Sequence, residues 1–144
     1  MASVVTRWQA LAPELKSVLR MVAALLFLQS GTMKLFGWPM AMPEGQSFSL
    51  MSEMGVGAIL EVVGGTLLLV GLFTRPVAFV LCGFMAVAYF MAHGSQGNML
   101  LPMLNQGELA VLYCFVFLYF VFSGAGAWSV DAVRRTRTAA PRLA

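Results

Sequence analysis

Four long runs of apolar residues, separated by short polar gaps, dominate the chain. The runs cover residues 18–38, 54–73, 76–93 and 106–123. Each approaches the roughly 20 residues that an α-helix needs to cross about 30 Å of hydrocarbon. A spanning helix satisfies its own backbone hydrogen bonds, and the sequence has no alternating pattern typical of membrane strands. The pattern therefore predicts an all-α membrane protein, a four-helix transmembrane bundle in one domain over residues 1–144.

Polar residues at the ends of the runs predict where the helices start and stop. Gly71 ends the second predicted helix, while Thr74 can cap the third and Pro76 suits its first turn. This tight turn makes the second and third helices antiparallel neighbours. Asn105, with Glu108 three residues later, predicts an asparagine version of the capping box at the fourth helix.

Two segments lie outside the runs. The loop at 39–53 is polar and contains two prolines and a glycine, so it is predicted to be irregular or a short surface helix. Residues 128–144 form a cytoplasmic basic tail with a short predicted surface helix. Ser129 is expected to cap this helix, and Asp131 lies near its positive end.

The composition agrees with a membrane protein. Apolar residues make up 60% of the chain and charged residues only 10%, whereas soluble domains average roughly 25% charged residues. The formal net charge of +3 calls for no nucleic-acid partner, because membrane topology and the anionic inner leaflet account for it. The bilayer is therefore the first expected partner.

The basic residues predict the orientation of the bundle, since cytoplasmic loops carry an excess of Lys and Arg. Eight of the nine fall on one side: Arg7, Lys16, Arg20, Arg75, Arg134, Arg135, Arg137 and Arg142. The loops at 38–53 and 94–105 contain none, so we expect these loops outside and both termini in the cytoplasm. Arg20 and Arg75 are interpreted as inner-leaflet anchors.

Glu61 interrupts the second apolar run, and burying its carboxylate in lipid would be costly. Gly57, Gly64 and Gly65 share its helical face, and small residues at this spacing let a neighbouring helix approach closely. Glu61 is therefore predicted to point into the bundle. Lys34 lies at a similar depth on the first helix and can reach it as a partner.

One polar residue from each predicted helix falls in the outer half of the bundle: Lys34, Glu61, His93 and Glu108. Together they form a candidate polar site. Each also has a structural interpretation. Lys34 and Glu61 could be an ion pair that fixes helix register, Glu108 could be part of a helix cap, and His93 could be a solvated loop residue.

The fourth helix is rich in aromatic residues. Tyr113, Phe117 and Phe120 share one face, and Tyr89 and Phe90 can oppose them. A flat ring such as a quinone could stack on this face. Ordinary packing and lipid contact explain the same pattern.

Cys82 and Cys114 are the two cysteines of the chain. Counted along ideal helices, Cys82 lies about 10 Å from the inner boundary and Cys114 about 12 Å from the outer one. They would then differ by about 8 Å in depth, beyond easy disulfide reach. The sequence therefore predicts two small packing residues. It also contains no metal cluster, no nucleotide-binding loop and no histidine pair for haem.

Several blocks of the sequence, in this order, resemble the DoxX family of small four-helix membrane proteins. "LRMVAALLFLQSGTMKLFG" (19–37) is similar to the opening family pattern, and "LEVVGGTLLLVGLFTRPVAF" (60–79) is similar to its E-x-x-G-G…T-R signature. His93, the "GE" pair at 107–108 and "GAGAWSVDAV" (124–133) continue the resemblance.

The resemblance implies a multi-pass protein of the bacterial inner membrane that acts as an oxidoreductase subunit. Some relatives are subunits of thiosulfate:quinone oxidoreductases or act beside thiol-stress enzymes. The positions that the resemblance carries over are Lys34, Glu61, Arg75, His93, Glu108 and Asp131. Related bundles carry electrons through a cysteine pair, which this chain is predicted to lack, so thiol chemistry would come from a partner.

The leading hypothesis is therefore a quinone-linked subunit that takes electrons from a soluble or membrane redox partner. Glu61 or His93 would exchange protons with the quinone, while Lys34, Glu108, Tyr113 and Phe117 would help to bind it. One alternative is a non-catalytic module that assembles other membrane proteins. A weaker alternative is a small-solute transporter, which would need a dimer because four helices make a thin pathway. Homo-oligomerisation stays open.

Overall fold

A computed structural model of the protein describes residues 2–41 and 49–139, and within these ranges the regular structure is entirely helical. The six α-helices are α1 (Ala2–Ala10), α2 (Ala12–Phe36), α3 (Glu53–Val70), α4 (Thr74–Ala88), α5 (Glu108–Ser123) and α6 (Val130–Ala139). A π-helical turn, Tyr89–His93, extends α4, and a short 3₁₀ turn, Gly94–Gln96, follows it.

The four predicted spans correspond to α2, α3, α4 with its π turn, and α5. The first three are long and apolar enough to cross a bilayer. The fourth, α5, has 16 residues and rises only about 24 Å, so the count of four crossings stays a prediction. The chain is a helical membrane protein. The predicted structure of the loop at 39–53 falls largely on residues 42–48, outside the described residues.

The core forms where the four long helices meet. Helix α2 packs most extensively against α3, and α4 against α5, while contacts between α3 and α4 join the two pairs. Phe27, Leu68, Leu81, Phe117 and Phe120 are almost fully buried in this core. Many large apolar side chains remain on the outside of the bundle, as expected for a surface in contact with lipid.

Glycines on α3 allow its neighbours to come close, as the sequence predicts. A Cβ atom on Gly64 would lie 2.7 Å from Leu81 of α4, and one on Gly65 would lie 2.8 Å from Leu28 of α2. Helix α3 is therefore held tightly between α2 and α4. The interior orientation predicted for Glu61 on this face is confirmed, because the residue is 3% exposed.

The turn between α3 and α4 is built differently from the prediction. Gly71 does end α3, with the left-handed backbone conformation expected there (φ 70°). The prediction that Thr74 caps α4 is wrong, since Phe73 precedes the helix and no side chain at that position caps it. The carboxylate of Asp131, on α6, instead accepts hydrogen bonds from the amides of Phe73 (2.9 Å) and Thr74 (2.8 Å).

The predicted capping box at the start of the fourth helix is also wrong. Helix α5 begins at Glu108, after Gly107, with no side-chain cap. Asn105 is buried, and its side chain is hydrogen-bonded on both sides. Its amide group donates to the hydroxyl of Tyr89 (3.2 Å), and its side-chain oxygen accepts from the amide of Gly107 (2.9 Å). Asn105 therefore closes the turn before α5 and ties it to α4.

The segment after α5 returns to the beginning of α2. The amide of Ala127 donates to the carbonyl of Pro13 (3.2 Å), and the amide of Trp128 donates to the hydroxyl of Ser17 (3.0 Å). Ser129 accepts from the amide of Ala132 (3.1 Å) at the start of α6, so its predicted capping role is confirmed.

Arg20 lies inside this contact rather than at the lipid surface. Its side chain is 1% exposed, and Nη2 donates to the carbonyl of Trp128 (2.6 Å). Gly71 after α3 and the segment before α6 therefore enclose the guanidinium, and its interpretation as an inner-leaflet anchor stays a prediction. A Cβ atom on Gly71 would overlap Nη1 of Arg20, so only glycine leaves this space.

Candidate functional site

The candidate site begins where α2 and α3 cross. A Cβ atom on Gly31 would lie 2.8 Å from the Cβ of Glu61, so the glycine lets the two helices approach at this point. Lys34 follows Gly31 by three residues and therefore lies on the same face of α2. The crossing thus brings the ammonium group to the carboxylate.

Lys34 and Glu61 form an ion pair in which the ammonium group contacts both carboxylate oxygens. The Nζ atom of Lys34 donates to both carboxylate oxygens of Glu61, at 2.6 Å and 2.8 Å. The carboxylate is nearly enclosed, while the lysine side chain is 24% exposed. The predicted pairing is confirmed, and Lys34 is the more exposed of the two partners.

A cavity of about 590 Å³ lies beside the pair, between α3 and α4. Its polar lining comes from Lys34 and from Glu53 at the start of α3. The rest of the lining is apolar and includes Phe84, whose ring rests on Gly57, where a Cβ atom would be 3.0 Å from the ring. The cavity therefore offers an apolar space with a cation, Lys34, and a carboxylate, Glu53, in its lining.

The aromatic face of α5 lies in the core and does not line this cavity. The ring of Phe27 packs against Phe117 with centroids 5.0 Å apart, and against Tyr113 at 5.3 Å. Phe117 is fully buried. Phe27 therefore occupies the position that sequence reasoning assigned to a stacked ligand, and Phe84 is the aromatic residue that faces the cavity.

His93 and Glu108 lie apart from the ion pair. His93 makes a 3.0 Å hydrogen bond through Nδ1 with the carbonyl of Asn105, and its ring stacks on Tyr89. Glu108 is an exposed residue in the first turn of α5. Among the described residues, neither side chain contacts Lys34 or Glu61. The four-residue cluster is therefore reduced to a pair in this structure.

Arg75 and Asp131 lie at the opposite, basic end of the bundle. Together with Arg134, they line a smaller cavity of about 350 Å³. Burial acts to raise the pKa of Asp131, but the amide hydrogen bonds from Thr74 and Phe73 and the charge of Arg134 outweigh it, so the pKa lies below its usual value. The cap on α4 is therefore an ionised carboxylate at neutral pH.

The predicted separation of the two cysteines is wrong. The sulfur atoms of Cys82 and Cys114 lie 3.6 Å apart. Cys82 is eight residues from the start of α4 and Cys114 nine residues from the end of α5, so both lie about 12–14 Å from the same ends of their helices. The error came from extending α5 across 30 Å of bilayer. The chain therefore does hold a cysteine pair.

The described part of the chain contains no group of three or more His, Cys, Asp or Glu side chains arranged to hold a metal ion. The features that remain are a buried ion pair, an adjoining apolar cavity and a pair of thiols. They define a small helical membrane protein with polar and thiol groups inside its bundle.

The chain belongs to the DoxX family. The DoxX family model matches residues 15–94, which extend from α2 to the end of the π turn. This range contains Lys34, Glu61 and both residues that face each other at the cavity, Gly57 and Phe84. Cys114 lies outside it.

A protein of Haemophilus influenzae (strain ATCC 51907 / DSM 11121 / KW20 / Rd) is similar over most of its length. It is 45% identical over 120 residues, which cover 83% of this chain and 90% of the relative. It is described as an uncharacterized protein, so its name adds no activity. No solved structure matches the chain.

Proposed function

We propose that the protein is a quinone-binding subunit of a membrane oxidoreductase in the bacterial inner membrane. The cavity between α3 and α4 would hold the quinone ring, and Lys34 would hydrogen-bond to one of its carbonyl oxygens. The observation that carries this proposal is that one residue, Lys34, both pairs with the buried Glu61 and lines the cavity.

The size and lining of the cavity support a small amphipathic ligand. Its volume of about 590 Å³ falls within the roughly 300–1,000 Å³ typical of small-molecule sites. The apolar lining suits a ring and an isoprenoid chain that enter from lipid. Phe84 offers a flat surface for stacking.

The hydrogen-bonding capacity of Lys34 supports an acceptor on the ligand. An ammonium group has three N–H donors, and two of them point to the oxygens of Glu61. The third remains for a ligand in the cavity. A quinone carbonyl is an uncharged acceptor, so binding it would not oppose the neighbouring carboxylate.

The ion pair also provides groups that can handle protons. Reduction of a quinone to a quinol consumes two electrons and two protons. Lys34 would stabilise the negative charge that develops on the ring oxygen. Glu61 would hold the ammonium group of Lys34 in place and exchange protons with that group. The electrons would come from a redox partner.

The test is a titration of the nanodisc-reconstituted protein with decylubiquinone, followed by quenching of tryptophan fluorescence. Wild type should quench saturably, and Lys34→Met should weaken binding at least about tenfold through loss of the donor. Gly57→Leu, which fills the cavity, should also weaken it.

Lys16→Met is the matched control, because Lys16 donates to the carbonyl of Ser123 at the other end of the bundle. It should bind like wild type. Saturable binding that is unchanged in Lys34→Met would overturn the cavity site. Absence of saturable quenching in every variant would favour the assembly module, which co-purification of a stable protein partner would then support.

A further inference from the structure

The thiols of Cys82 and Cys114 meet where α4 packs against α5. Their sulfur atoms are 3.6 Å apart, which is van der Waals contact, and both cysteines are free. Because a disulfide bond is about 2.05 Å long, the sulfurs need to approach by roughly 1.5 Å. Small rotations of two cysteine side chains can provide this without separating the helices.

The position of the pair restricts which reagents can reach it. Each cysteine lies about 12–14 Å along its helix from the basic end of the bundle. In the predicted four-span topology, this depth would place both sulfurs within the hydrocarbon layer. Both side chains are half-buried, so they are partly open to the surface of the bundle. Charged water-soluble thiol reagents are excluded at this depth, whereas lipid-soluble oxidants are not.

We propose that Cys82 and Cys114 form a redox-active dithiol that a membrane quinone oxidises to a disulfide between α4 and α5. Two S–H bonds break and one S–S bond forms. The two electrons and the two protons pass to the quinone, which becomes a quinol. A quinone suits this step because it dissolves in the bilayer and accepts both electrons and protons.

This inference rests on the proposed function for the identity of the oxidant and gives the chain a two-electron carrier of its own. It does not require the cavity at Lys34. Cys82 faces α5, whereas the cavity lies on the opposite side of α4, against α3. The quinone that oxidises the thiols would therefore reach them from the lipid along the seam between α4 and α5.

The seam is suited to a reversible cross-link. Helices α4 and α5 form one of the two most extensive contacts in the bundle, so the two sulfurs are held near one another while the thiols are reduced. The effective concentration of one thiol at the other is correspondingly high. A disulfide there would connect the part of the chain before the outer loop with the part after it.

The experiment uses the full-length protein, reduced and reconstituted in nanodiscs, with a slight excess of decylubiquinone. All ring positions of this quinone are substituted, so thiols cannot form stable addition products. Free thiols are counted after denaturation with a maleimide-linked polyethylene glycol, and quinol is followed by ultraviolet absorbance. Wild type should lose two thiols per chain and form one quinol per chain.

Cys82→Ser and Cys114→Ser should each keep their remaining thiol and form no quinol, while melting as wild type does. Alanine variants at both positions check that the result does not depend on the serine hydroxyl. If wild type keeps both thiols with quinone but loses them with diamide, a membrane-permeant oxidant, quinone oxidation is overturned. Retention of both thiols with either oxidant would overturn the dithiol itself.

Quinone binding and thiol oxidation, measured separately on the wild-type protein, distinguish this inference from the cavity site. Saturable binding together with oxidation of both thiols would support both proposals. If wild type shows no saturable binding but its thiols are oxidised, the cavity proposal fails and the dithiol stands. If wild type binds quinone saturably but its thiols are not oxidised, the dithiol proposal fails and the cavity proposal stands.

Discussion

At the scale of single residues, the central feature is a carboxylate that is buried beside a partly exposed lysine. Both oxygens of Glu61 are bonded to Lys34, so neither charge is left without a partner. Breaking a buried pair from one side leaves an uncompensated charge, whereas removing both charges does not. This asymmetry makes the pair testable.

Lys34→Met should reduce the free energy of unfolding by about 3–5 kcal/mol, because it leaves the carboxylate of Glu61 buried and unpaired. Glu61→Gln should cost less, since the lysine side chain is already 24% exposed and can carry its ammonium group toward the cavity. The double variant should be more stable than Lys34→Met alone. Reversible unfolding in bicelles measures all three values.

Losses that simply add in the double variant would show that the two side chains are not energetically coupled. The same variants separate stability from ligand binding. Lys34→Met removes the donor to the cavity, whereas Glu61→Gln retains it. A folded Glu61→Gln protein that still binds quinone would assign binding to the lysine and leave the carboxylate with positioning or proton exchange.

At the scale of elements, the start of α4 depends on a residue that is distant in sequence. Asp131 caps α4 although 57 residues separate it from Thr74, and its own amide donates to the carbonyl of Gly71 (2.9 Å). Local signals suggested Thr74 as the cap. Such signals identify where a helix starts, but they cannot identify a cap that another helix supplies.

Asp131→Ala should destabilise the protein by about 1–2 kcal/mol at neutral pH, because it leaves two amides of the α4 start without an acceptor. Since the pKa of Asp131 is lowered in the folded protein, its contribution is fully present above the ordinary pKa of about 3.9. It is lost as the pH falls through the lowered value.

The gap in melting temperature between wild type and Asp131→Ala, measured in detergent, should therefore be constant from about pH 7 to pH 5 and shrink below about pH 4. Asp131→Asn is the control, since it keeps a side-chain oxygen but no charge. It should lie between the other two proteins. A gap that does not shrink in acid would show that the charge of Asp131 contributes nothing.

The two cysteines show a second limit of prediction from the sequence at the scale of elements. The depth of each cysteine in the membrane was calculated from the rise of an ideal helix. For Cys114, the count started from an assumed outer boundary of α5. The helix begins at Glu108 and has 16 residues, so it is shorter than the layer that was assumed. Counting from the inner ends of α4 and α5 gives nearly equal depths.

At the scale of the whole molecule, the sequence predicted the helices and the Lys34–Glu61 pair because both follow from hydrophobic length and helical spacing. It did not predict that His93 would lie away from them. Similar depth does not determine which way a side chain faces around the bundle. His93 also closes a π-helical turn, which shifts the direction of residues relative to an ideal α-helix.

The orientation of the bundle remains a prediction. Because α5 is short, the point to test is whether it crosses the membrane. Three crossings would place the two termini on opposite sides of the membrane, while four place them together. The segment before α6 bonds to Pro13, Ser17 and Arg20 on the first half of α2. The chain therefore returns to the end of the bundle where α2 begins, which requires α5 to traverse it.

Green fluorescent protein fused after Ala144 should therefore fluoresce, because the positively charged end of the bundle is retained in the cytoplasm. Alkaline phosphatase fused at the same position should be inactive, and the same enzyme fused after Asn98, in the loop without Lys or Arg, should be active. Whole-cell fluorescence and phosphatase assays measure both. An active phosphatase at the C-terminus would contradict the four-span topology, since the short α5 would then end on the outer side.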